Sequence, residues 1–114
     1  MSAVAAYIRA GAERDPAARA QLLEACCAAD VRMVTRSSVI RGRAGIEAML
    51  ARFLGDPQNL GFRLTSAVDA VGSTFRYRSV VIRRDGSELE FFDAGELDGD
   101  GKIVTLLVFA GPLA

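Results

Sequence analysis

An aspartate stands where strand alternation calls for an apolar side chain. In the run Ser87-Glu88-Leu89-Glu90-Phe91-Phe92-Asp93-Ala94-Gly95-Glu96-Leu97, the two-residue period puts Leu89, Phe91, Asp93, Gly95 and Leu97 on one face. Glu88, Glu90, Phe92, Ala94 and Glu96 take the other. A carboxyl on an apolar face must find a partner or keep its proton, because burying it bare costs several kcal/mol. The chain has no histidine. A Ser-His-Asp or Cys-His arrangement is therefore impossible, and acid or base chemistry falls to Asp, Glu, Tyr or Lys.

The partner of Asp93 depends on the hairpin that precedes it. If Asp85-Gly86 is the whole loop, Arg78 lies opposite Asp93 and a guanidinium holds an ionised carboxylate. If the loop carries one more residue, the register slips, Phe75 and Tyr77 turn inward, and Asp93 sits in an apolar wall with a raised pKa. The turn residues favour the first alternative and the greasier face of Phe75, Tyr77 and Val81 favours the second.

Other motifs have plainer readings. Arg41 and Arg43 around Gly42 could grip an anion at the start of a helix, but solvated turn residues explain them as well. Asp98-Gly99-Asp100-Gly101 lacks the later ligands and distal glutamate of a calcium loop and reads as a hairpin turn. Cys26 and Cys27 are adjacent in a helical pattern and read as reduced core thiols, which suits a cytoplasmic protein. No metal site and no cofactor are expected.

The elements that must position these residues follow from periodicity. A helix is expected over 3–13 from the Ser2 cap, and a second from Asp15-Pro16 to about Asp30 with Leu22, Leu23, Cys26 and Cys27 inward. Short strands at 31–35 and 39–40 lead to a third helix carrying Ile46, Met49, Leu50 and Phe53, stopped by Gly55-Asp56-Pro57. Strands then follow over 62–71, 74–84 and the Asp93 run, and the apolar stretch 103–110 should be central. The 114 residues make one domain, 1–114, with 51% hydrophobic content and 14 basic residues balancing 14 acidic ones. That neutrality argues against nucleic acid, and no apolar run is long enough to cross a membrane. Helices first and a meander afterwards predict an α+β fold, helices packed on one face of a curved antiparallel sheet.

This order, with Arg41-Gly42-Arg43-Ala44-Gly45-Ile46 entering the third helix and Leu97-Asp98-Gly99-Asp100-Gly101-Lys102-Ile103-Val104 closing the meander, resembles the nuclear transport factor 2-like superfamily. Its SnoaL-like polyketide cyclases and ketosteroid isomerases are the most similar branch. The resemblance implies a cone-shaped, cystatin-like fold of three N-terminal helices on the sheet, with a deep hydrophobic pocket for a small apolar ligand. It also implies a homodimer built across the outer sheet face, where Glu88, Glu90 and Glu96 surround Phe92. By resemblance, Tyr7 matches the first-helix tyrosine that donates to a developing oxyanion, and Asp93 the protonated acid beside it. Those two are the expected catalytic residues, with Arg78, Thr35, Phe53 and Phe91 the expected substrate-binding ones. Thr35 stands where the family's aspartate base belongs, and threonine cannot shuttle a proton at neutral pH. Two functions stay open: isomerisation or cyclisation of a carbonyl compound through an enolate, or a non-catalytic dimeric ligand-binding or interaction domain with a structural Arg78-Asp93 pair.

Overall fold

The computed structural model describes residues 2–111. Helix α1 (Ala3–Ala10) starts where Ser2 Oγ accepts the Ala5 amide at 3.1 Å, and α2 (Pro16–Cys26) where Asp15 accepts that of Ala18 at 3.3 Å. Both caps lie at the expected residues. The chain turns extended sooner than the helical pattern suggests: Cys27 already opens β1 (Cys27–Val34), since its β-region backbone ends α2. β2 (Val39–Arg41) and α3 (Gly42–Gly55) complete the helical half. Arg19, which apolar patterning overlooks, is buried in α2, and its guanidinium holds Glu47 of α3 through contacts of 2.7 and 2.8 Å.

The second half supplies β3 (Asn59–Leu64), β4 (Asp69–Val71), β5 (Thr74–Arg83), β6 (Glu88–Leu97) and β7 (Ile103–Ala110). The expected continuous strand over 62–71 is broken. Leu64 pairs with Ser79 but Asp69 with Arg76, so residues 65–68 stand against only 77 and 78. Ser66 Oγ accepts the Arg78 amide at 2.8 Å across this bulge.

The seven strands form one curved sheet in the order β2-β1-β7-β6-β5-β3, with β4 beside β5. It is mixed rather than wholly antiparallel. β1 runs parallel to β7, which is possible because α3 and the whole meander separate them and provide the long crossover that a parallel pair needs. β7 lies inside the sheet, as its apolar run requires. The helices cover one face, where Val4, Tyr7, Leu23, Ile46 and Leu50 pack on Val31, Met33, Phe75, Tyr77, Ile103 and Leu106. No helix among the described residues is long and apolar enough to cross a membrane.

The β5–β6 hairpin settles which residue faces Asp93. Arg83 N donates to Ser87 O at 2.9 Å, so three residues, Arg84, Asp85 and Gly86, form the loop, with Gly86 at φ +89°. Tyr77 therefore pairs with Asp93 and Arg78 with Phe92. The Arg78-Asp93 pair is ruled out by this register, which turns the two side chains to opposite faces.

Candidate functional site

A cavity of about 330 Å³ lies between the helices and the covered sheet face. α1 contributes Tyr7, α3 contributes Met49, Leu50 and Phe53, and β3 contributes Phe62. The sheet wall carries Met33, Tyr77, Phe91, Asp93 and Val108. Gly11 follows α1, and a methyl there would come within 2.6 Å of the Phe62 ring, so glycine lets that ring close one side. A larger concavity of about 710 Å³ lies on the uncovered sheet face between Arg32, Arg76 and Glu96, but among the described residues it holds no buried polar group in need of a partner.

Asp93 is the chemically distinctive residue of the wall. It is 7% exposed, its Oδ2 accepts the Tyr77 hydroxyl at 2.8 Å, and its buried Oδ1 has no partner among the described residues. Burial pushes the carboxyl up to about 6, and the Tyr77 hydrogen bond offsets part of that rise. Burial and the nearby Asp93 charge together push both Tyr7 and Tyr77 above the usual phenol range, so both stay protonated donors at any ordinary pH. Tyr77 in turn stacks on Phe75, centroids 6.4 Å apart. Phe75 rests over Gly95, where any side chain would meet both the Phe75 ring and the Thr105 carbonyl.

The structure brings Tyr7, Thr35, Phe53, Phe91 and Asp93 to this one cavity. Arg78 is not among them. It is exposed on the opposite face, beside Glu90 and Phe92 in a shallow depression. Thr35 stands at the cavity edge, its hydroxyl engaged with Ser38: Oγ1 accepts the Ser38 amide at 3.2 Å and lies 3.2 Å from the Ser38 hydroxyl. It closes a turn, and no proton acceptor stands there. Tyr77 enters the site as the direct partner of Asp93, a role that follows from the longer hairpin loop. Arg43 serves structure, donating to the Cys27 carbonyl at 2.9 Å, and Asp98 caps its own turn by accepting the amides of Asp100 and Lys102.

No family model and no curated protein matches the sequence. Solved structures do match the fold. A candidate isomerase of the SnoaL-like family from Agrobacterium tumefaciens superposes with a TM-score of 0.85 at 26% identity, over 96% of this chain and 95% of that one. A cystatin-like protein from Methylobium petroleophilum gives 0.78 at 17% identity, over 98% and 76% of the two chains. A nuclear transport factor 2-like protein from Exiguobacterium gives 0.72 at 19%, over 98% and 100%. The chain thus has the nuclear transport factor 2-like, cystatin-like fold, and a SnoaL-like protein is among its structural neighbours.

Proposed function

We propose that the cavity binds a small, largely apolar molecule bearing a carbonyl, whose oxygen accepts hydrogen bonds from Tyr7 and from the protonated acid Asp93. The observation that carries this reading is the unpartnered, buried Oδ1 of Asp93. With Tyr77 donating to Oδ2, the proton of the neutral acid belongs on Oδ1, where it lacks an acceptor until a ligand provides one. Two such donors in an apolar site stabilise the negative charge of an enolate, which supports isomerisation or aldol-type cyclisation as the reaction class. The likeness to a SnoaL-like candidate isomerase supports the same class.

A second reading has its own observation. Enolisation also needs a proton acceptor, and among the described residues of the cavity wall there is no second carboxyl, while Thr35 is held in its turn. This favours a binding domain without turnover. In either case we propose a homodimer through the uncovered sheet face, where Phe109 is 51% exposed and meets Phe92 edge-to-face.

One experiment separates these readings. An aryl ketone such as 1-tetralone is titrated against its hydrocarbon parent tetralin, and α-proton exchange of the ketone is followed in deuterated water by NMR. The carbonyl reading expects the ketone to bind more tightly, with affinity rising as pH falls through about 6 and that rise absent in Asp93→Asn. Protein-dependent exchange identifies an enolising enzyme, and binding without exchange identifies a carrier. Equal affinity for ketone and hydrocarbon defeats both.

A further inference from the structure

Within that carbonyl reading, on which this step rests, we infer that the ligand also carries an anion, held at the cavity mouth by Arg36, and that the ligand class is a keto carboxylic acid with its two groups several carbons apart. The ionisable residues of the cavity wall are Tyr7, Arg36, Tyr77 and Asp93. Arg36 is therefore its one cation among the described residues. Its charge is not matched by Asp93, whose only partner is Tyr77, and it forms no ion pair elsewhere among the described residues.

The sheet separates the two polar ends. Val34 pairs with Leu107 and Asp93 with Val108, so the end of β1 and the acid flank β7 from opposite sides. That is two inter-strand spacings, about 10 Å. Arg36 lies just past β1, in the turn to β2, and both it and Ser37 are exposed at the rim, whereas Asp93 is buried. Between them the wall is apolar, with Val108 and Phe91. Such a cavity is wet and cationic at one end, apolar along its length, and acidic at its buried end. A carboxylate at the rim keeps part of its hydration while a guanidinium binds it in a fork, and the carbonyl at the other end meets the Asp93 proton. A neutral ketone uses only half of this arrangement.

The test compares 5-oxo-5-phenylpentanoate, its methyl ester and 5-phenylpentanoate by calorimetric titration of the full chain and two variants. The free keto acid should bind about fivefold more tightly than its ester, the size expected of a half-exposed ion pair. Arg36→Gln should erase this preference, and so should high salt. Asp93→Leu, which removes the donor at Oδ1, should weaken keto acid and ester by the same factor and leave the preference intact. If 5-phenylpentanoate binds as well as the keto acid and both depend on Arg36, the anion site stands and the carbonyl reading falls. An ester that binds as tightly as the acid, or an acid preference that survives Arg36→Gln, overturns the anion site while leaving the carbonyl reading to its own test. Absence of binding by all three overturns both.

Discussion

Replacing Asp93 with asparagine should stabilise the protein at neutral pH and leave it nearly unchanged in acid. The folded chain holds the Asp93 proton to about pH 6, against an ordinary value of 3.8. That difference of about 2 units, at 1.36 kcal/mol each, corresponds to about 3 kcal/mol of native stability. Its direction follows from the raised folded-state value. The contribution is complete below about pH 4, declines as pH rises through about 6, and is absent above that. Asparagine keeps the shape and an oxygen for the Tyr77 hydroxyl, and carries no charge to desolvate. Urea unfolding of both proteins between pH 4 and pH 8 measures the effect. The two should agree to within about 1 kcal/mol at pH 4, and the variant should exceed the native chain by about 3 kcal/mol at pH 8, roughly 10–20 °C in melting temperature for a domain of this size. Groups common to both proteins cancel in the difference. A gap that stays constant across the range, or an asparagine variant that is the less stable at pH 8, would refute the reasoning, because it would mean that the ionised carboxylate is well solvated or paired.

Two more predictions follow from the same geometry. Tyr77→Phe removes the one hydrogen bond that lowers the Asp93 pKa, so the carboxyl should titrate higher still, by on the order of one unit, as read from the side-chain carboxyl carbon signal in NMR. A value unchanged or lowered would show that the bond does not hold in solution. Phe109→Glu puts a charge into the exposed aromatic pair of the uncovered sheet face and should convert a dimer to monomer in sedimentation velocity, with melting temperature changed little. A native chain that already sediments as a monomer refutes the dimer.

Most of the fold was legible because local signals agreed with the global arrangement. Ser2 and Asp15-Pro16 cap the first two helices, Gly55-Asp56-Pro57 ends the third, and the apolar run of β7 lies inside the sheet. The parallel β1–β7 pairing was not legible, since nothing in either strand's composition records the direction of a neighbour reached through the whole meander. The interruption at residues 65–68 was missed for a related reason: the alternation continues in the sequence while the ladder breaks. At the site, Asp93 announced itself as a misfit in an apolar face. Its partner did not, because Asp85-Gly86 supports a two-residue turn as readily as the three-residue loop that forms. Arg36 carried no sequence signal, as a single arginine in a polar turn looks like any solvated residue.

That three-residue loop has a consequence for how this cavity could change over time. Side chains alternate along a strand, so a single deletion at Arg84–Gly86 that keeps a three-residue loop would draw Ser87 into the turn, pair Arg83 with Glu88 and place Arg78 instead of Tyr77 beside Asp93. The acid would then trade a phenol for a guanidinium and lose its proton, without any substitution in the cavity wall. Insertions and deletions in a solvent-exposed turn are ordinarily the most tolerated of changes. Here one such event, where it shifts the register, rewrites the chemistry of a buried site, so two related chains that both keep this aspartate share its environment only if their β5 and β6 also pair in the same register.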